Sequence, residues 1–307
     1  MAADLALDTG QSTTRFGSDG AEARRHSPVA VGPQFHACPP DPGCGYCASG
    51  PSPDVSGNDW SFLDAVYCIS MLNREDRAAS VTRELHRVGL CRHSIFYRPV
   101  RGRESARMNI WQSHQVVARH ARARGFNRVL VLEDDVRFDT SIDREVVQSI
   151  GEAIRLLPRD WMAFYLGHWP LRVRRIDRQV LRTRSLCTHA YIASNLLIDW
   201  LCASSYLDFK RERRGSRWSL TGRGIDAAMS ELPRMYAYYP MLATQSGSPS
   251  DHRRIRERRG IRRMYELKMW ARDSLLANHA GSWERLVVGL SSIAGAGTRF
   301  GGRSRRT

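Results

Sequence analysis

From Trp60 onward the chain switches repeatedly between two hydrophobic periods. Ala65-Val66-Tyr67-Cys68-Ile69 is an unbroken apolar run, the pattern of a strand buried on both faces. Ala78, Val81, Leu85 and Val88 then recur at helical spacing, which predicts a helix over 77–88. A second strand is expected over 94–100. A long helix is expected over 108–124, stopped by Gly125. Val129-Leu130-Val131-Leu132 repeats the buried-strand pattern, and Val136 and Phe138 read as its continuation. A helix over 142–157 ends at Pro158, short strands follow over 162–166 and 190–193, and a helix covers 195–204. This β-α-β-α-β order predicts an α/β fold with a Rossmann-like, mostly parallel, doubly wound central sheet. No internal repeat is visible.

The flanks have a different texture. Residues 1–58 are rich in Gly, Pro, Ser, Ala and Asp without a sustained apolar period, so they are expected to be disordered or loosely ordered. The folded region is expected over 59–252. Residues 253–307 read as a basic helical extension, with Ile255 and Ile261 among arginines over 253–263, and a Gly- and Arg-rich tail.

Charge changes the picture of partners. The net charge is +16, and Lys210 and Lys268 are the only lysines, so the excess is carried by Arg. Arg binds phosphate through two donors at once, which favours anionic partners. The basic stretches, 172–184, 210–217 and 253–263, are separate, and the aromatic-studded basic motifs of RNA-binding modules are missing, which argues against nucleic acid. The last stretch suits either a solvated helix face or contact with an anionic membrane surface.

The seven cysteines, Cys38, Cys44, Cys47, Cys68, Cys91, Cys187 and Cys202, are odd in number and scattered, which fits a reducing compartment. His36, Cys38, Cys44 and Cys47 either form a zinc knuckle or are tail thiols. No apolar run spans a bilayer and no secretory signal is apparent, so a cytoplasmic protein, either free or docked on the inner membrane face, is expected.

The chemistry concentrates at Glu133-Asp134-Asp135, directly after the 129–132 run. Ligands of open α/β sheets bind at the carboxyl ends of strands. Three adjacent carboxylates form either a solvated turn or a site for a positive group. In a continuing strand, alternation places Glu133 and Asp135 on one side and Asp134 on the other, so that the first and last share a hard cation such as Mn2+ or Mg2+. Arg74 and Arg77, just past the first strand, are placed to reach phosphate, with Asp76 as an ion-pair partner or a helix-start residue. Ser113-His114 lies on the long helix, and Asp226 follows Gly224 at a helix start.

Together these segments resemble glycosyltransferase family 25, which includes lipopolysaccharide-biosynthesis transferases and collagen galactosyltransferases. Ile69, Arg74, Asp76 and Arg77 match the family's opening stretch, which this chain leaves at Ser70, Met71 and Asn73. Ser113 and His114 match a Ser-His pair, although Asn109 and Ile110 stand where a Gly-Cys pair is usual. Leu132 to Asp135 match the Leu-Glu-Asp-Asp motif; Ala190-Tyr191, Asp226, Pro240, Gln245, Ser250 and Asp251 match later positions in order.

The resemblance implies a nucleotide-sugar transferase (GT-A-like) fold over 59–252 and inverting transfer of a hexose, with galactose favoured, from a UDP-sugar to a glycan such as lipopolysaccharide core. A Mn2+ or Mg2+ ion would be held mainly by Asp135, with Glu133 or Asp134 direct or through water. Arg74, Asp76 and Arg77 would serve the nucleotide end, Ser113 and His114 the donor pocket, and Asp226 would be the general base. The rival readings are a non-catalytic Arg-rich binding protein and a transferase fold that has lost its activity.

Overall fold

The structure, a computed structural model, describes residues 34–48, 59–212, 224–246 and 281–291. The strands are β1 (Phe35–Ala37), β2 (Ala65–Ile69), β3 (Ser94–Tyr97), β4 (Arg128–Glu133), β5 (Val136–Phe138), β6 (Ala163–Arg175), β7 (Val180–Ser194), β8 (Met235–Tyr238) and β9 (Ala243–Gln245). The helices are α1 (Gly45–Ala48), α2 (Glu75–Arg87), α3 (Ala106–Ala123), α4 (Arg144–Leu156), α5 (Asn195–Ala203), α6 (Tyr206–Glu212), α7 (Ile225–Met229) and α8 (281–291).

Seven strands form one sheet in the order β1-β3-β2-β4-β7-β6-β8, and β5 pairs with β9 apart from it. The α/β architecture is as expected. β3, β2 and β4 are parallel and form the Rossmann-like half, and β6 is parallel to β8. β7 runs antiparallel to its neighbours β4 and β6, and β1 lies antiparallel on the β3 edge.

The unbroken apolar runs have a physical reason. Alternation in β4 sends Leu130 and Leu132 into a core with Val81 and Leu85 of α2 and Val147 and Ile150 of α4. It sends Val129 and Val131 into a second core with Trp111, Val117 and Ala121 of α3 and Leu197 of α5. Both faces of the strand are covered, so both must be apolar. The helices begin where their caps say: Ser105, Asp143 and Ser194 accept hydrogen bonds from Met108, Val146 and Leu197 respectively.

Three local outcomes differ from the sequence reading. The strand ending at Glu133 does not continue through the carboxylates; Asp134-Asp135 is a turn, and β5 leaves to pair with β9. The strands expected over 162–166 and 190–193 are the core ends of a long β6–β7 hairpin. Its outer part sets exposed Arg172 and Arg174 opposite exposed Arg184 and Arg182. Within the 1–58 stretch, residues 34–48 contribute β1 and α1. Phe35 of β1 stacks on His120 of α3 at 4.0 Å between ring centroids.

α8 is anchored by polar groups deep in the protein. His168 of β6 and Glu284 of α8 form a fully buried pair at 2.9 Å, with the other His168 nitrogen 2.7 Å from the Ser185 hydroxyl. Glu284 also accepts from the Met241 amide at 2.9 Å. Removing one partner of such a pair leaves the other buried and uncompensated. Glu284→Ala is therefore expected to lower unfolding free energy by about 3–5 kcal/mol. Denaturant titration checks this, and an unchanged midpoint would refute the anchoring role.

Candidate functional site

The carboxyl ends of β2 and β4 and the start of α2 meet at the acidic turn. α2 begins at Glu75, so Arg77 in its first turn faces β4 across the sheet edge. Arg77 Nη1 lies 3.0 Å from Asp134 Oδ1 and 3.7 Å from Asp135 Oδ2. Arg74 instead makes two donor contacts to Asp76, at 2.9 and 2.8 Å, which hold that carboxyl down at about 2.

Glu133 ends β4 facing β7. Thr188 Oγ1 donates to its Oε1 at 2.7 Å, and His114 Nε2 is 3.9 Å away. His114 is buried on α3 with Nδ1 2.8 Å from the Tyr191 hydroxyl, and burial pushes its pKa down to about 4, so the ring is neutral. Ser113 turns away: its hydroxyl donates to the Asn109 carbonyl one turn back at 2.9 Å. Asp226 lies in the first turn of α7, and its charge acts on both Glu133 and Tyr165. Gln245 of β9 lies beside Asp135, whose backbone carbonyl accepts from the Ser246 amide at 2.6 Å. Gly167 of β6 permits this approach, because a side chain there would run into the Ala243 carbonyl and the His189 ring.

The structure thus brings Arg77, Asp134, Asp135, Glu133, His114 and Asp226 to one place. Arg74 and Asp76 sit at the α2 entrance to it, and Ser113 is occupied by its own helix. Thr188, Tyr191 and Tyr165 lie beside them. Ser250, Asp251 and the 253–263 stretch lie outside the described residues.

The electrostatics are one-sided. Burial, then the neighbouring Asp135 charge, push Glu133 up to about 8. Burial pushes Asp135 up to about 6 against the pull of Arg77, and Asp134 is raised by burial despite its ion pair. Among the described residues Arg77, and more weakly Arg74, pull against the three clustered carboxylates, so ionising all three would leave surplus negative charge in a low-dielectric place. Oxygen donors with surplus negative charge suit a hard divalent cation. The side chains do not converge into a ready-made cage, since Glu133 turns to Thr188 and Asp134 to Arg77. That matches an ion held by one or two carboxylates and completed by water and substrate phosphates, the usual habit of Mg2+.

Among the described residues, the group of metal-ligating side chains that does converge is elsewhere: Cys44, Cys47, His86 and Cys91. His36 is exposed on β1 and stands outside this group, as does Cys38.

No family model matches the chain, and no curated protein matches it. Among solved structures, the fold is distantly similar to a glycosyltransferase involved in the glycosylation of the major capsid of PBCV-1. Identity is 11%, TM-score 0.34, with 56% of this chain and 81% of that one covered. It is likewise similar to a protein from Bacillus anthracis described as a glucose-1-phosphate thymidylyltransferase, in complex with a sucrose. Identity is 11% and TM-score 0.32, over 59% of this chain and 70% of that one. Likeness at this level says nothing about the chemistry of this chain.

Proposed function

We propose that the chain is a metal-dependent, inverting glycosyltransferase of GT-A-like fold. It would move a hexose, galactose by the family 25 resemblance, from a UDP-sugar to a hydroxyl of a glycan such as lipopolysaccharide core. The observation that carries this reading is the acidic turn at the end of β4, where burial and neighbouring carboxylates hold Glu133 and Asp135 protonation-prone and Arg77 lies 3.7 Å from Asp135.

A Mn2+ or Mg2+ ion bound at Asp135 and Glu133 would supply positive charge to the two phosphates of the leaving nucleotide. The chain's own residues do the rest. Arg77 pairs with Asp134 and opposes the rise that burial imposes on it, and Arg74, fixed by Asp76, would supply the nucleotide end with a donor fork. Thr188 and His114 set the orientation of Glu133. Asp226 takes the proton of the acceptor hydroxyl as it attacks from the face opposite the leaving group.

A thermal-shift screen of nucleotide sugars, each with and without Mn2+, tests this. One UDP-sugar is expected to stabilise the protein, by more with Mn2+ than without. No shift from any nucleotide sugar under either condition would overturn the proposal. The exposed arginines of the β6–β7 hairpin support a second reading, a non-catalytic anion-binding protein. Retention on heparin at high salt together with no donor binding would favour it.

A further inference from the structure

We propose that Cys44, Cys47, His86 and Cys91 form a structural zinc site that ties the 34–48 segment to the α2 side of the fold. The inference is independent of the sugar-transfer reading, since it rests on other residues. His86 follows Arg77 by nine positions along α2, which is about 14 Å at the helical rise.

Three of the six ligand–ligand distances match the edges of a tetrahedron. Zinc bonds of about 2.3 Å to sulfur and about 2.0–2.1 Å to nitrogen require sulfur–sulfur edges of about 3.8 Å and sulfur–nitrogen edges of about 3.5 Å. Cys47 Sγ lies 3.6 Å from Cys91 Sγ and 3.5 Å from His86 Nδ1, and Cys44 Sγ lies 3.9 Å from Cys91 Sγ. All four donor atoms fall within 4.8 Å of one another. Disulfide sulfurs stand about 2.05 Å apart, so these cysteines are gathered without being bonded.

The histidine is set for a metal. Its Nε2 is 3.1 Å from the Pro39 carbonyl, which can only accept, so Nε2 carries the proton. Nδ1 is then the nitrogen that faces Cys47 Sγ. A ligating histidine whose other nitrogen donates to a backbone carbonyl is the usual outer support of zinc sites.

The chain geometry agrees. Cys44 and Cys47 are separated by two residues on a tight turn, with the Cys47 amide donating to the Cys44 carbonyl at 2.9 Å. His86 and Cys91 are separated by four, at the end of α2 and in the short 3-10 turn Cys91–His93. Both spacings are ordinary for structural zinc. Three thiolates and an imidazole select a soft, tetrahedral ion over Mn2+ or Mg2+, and four protein ligands leave no open position for catalysis. β1 is only three residues long, so the metal would add a second tie for this segment beside the pairing of β1 with β3 and the packing of Phe35.

The test uses the full chain, purified without chelator from zinc-supplemented medium. Elemental analysis is expected to give one zinc per chain, and X-ray absorption a shell of three sulfurs and one nitrogen. Cys47→Ser and Cys91→Ser should each lose the zinc, whereas Cys202→Ser should keep it. If the serine variants do not fold, the unmodified protein still decides. Chelator should open Cys44, Cys47 and Cys91, located by mass spectrometry, to maleimide and lower the melting temperature. Zinc-free protein whose melting temperature does not respond to added zinc, an oxygen-only shell, or thiols equally reactive with and without chelator would each overturn the site.

Discussion

Asp135→Asn is expected to abolish metal-dependent sugar transfer, by about a thousandfold or more, while raising the melting temperature of the metal-free protein. The two effects have one cause. A charge interaction with the departing diphosphate worth about 4 kcal/mol corresponds to about three powers of ten in rate. The same carboxylate is held at about 6 against an ordinary 3.8, because burial and its acidic neighbours disfavour its charge. Glu133 is held at about 8 against 4.5 for the same reasons. Both pKa values are raised on folding, so their contribution to stability is complete below the ordinary carboxylate range. It is lost as pH rises through about 6 and about 8. Metal-free protein should therefore lose melting temperature across this window, and added Mn2+ should restore more of it at the upper end than at the lower. Asn cannot ionise, so the variant should show a flatter pH dependence and a weaker response to Mn2+. Melting curves across the window with and without Mn2+, with turnover measured on the same preparations, decide the matter. Normal turnover in the variant would remove Asp135 from the metal site. A metal-free melting temperature that falls instead of rising would show that the carboxylate is structural.

This site was legible in the sequence only in part, and the division has a physical basis. Glu133, Asp134 and Asp135 stand out because they end a run whose two faces are both buried, and a charge cluster at that place is costly unless used. Arg77 is legible for the same reason, lying just past the paired strand β2. Thr188 and Tyr191 come from β7, some fifty-five residues on from Glu133, and a tyrosine inside an apolar strand reads as core. The hairpin β6–β7 was visible only at its core ends. Farther out, Val173, Leu181, Thr183 and Ser185 alternate with arginines, and the charge hides the two-residue period. The turn at Asp134-Asp135 was hidden by Val136 and Phe138, which are strand residues but belong to a different sheet. The cysteine cluster shows the limit most clearly. Its Cys44–Cys47 half is a local spacing, while His86 and Cys91 join it only through the packing of α2.

Asp226→Asn is expected to lower kcat by about 10²–10⁴-fold while leaving donor binding near its normal strength. The competing role for this residue is to begin α7, and the two roles can be separated. The cap of α7 is Gly224, which has no side chain to offer, and Asp226 Oδ1 accepts from the Ala227 amide at 2.9 Å. An asparagine keeps an oxygen at that place and loses only the charge, so a purely helical role costs about 0.3–1 kcal/mol through the helix dipole. Loss of a general base acts on the reaction instead, because the acceptor hydroxyl must shed its proton as the new bond forms. The charge of Asp226 also presses on Glu133, so its removal should ease the carboxylate cluster and keep or strengthen the metal-free fold. The measurement is kcat and donor KM for wild type and variant, with melting temperatures beside them. A kcat loss at unchanged donor KM and unchanged stability supports the base. Normal transfer with a melting temperature lowered by a few degrees would assign Asp226 to the helix start, and the proton acceptor would then have to be sought on another element facing Glu133.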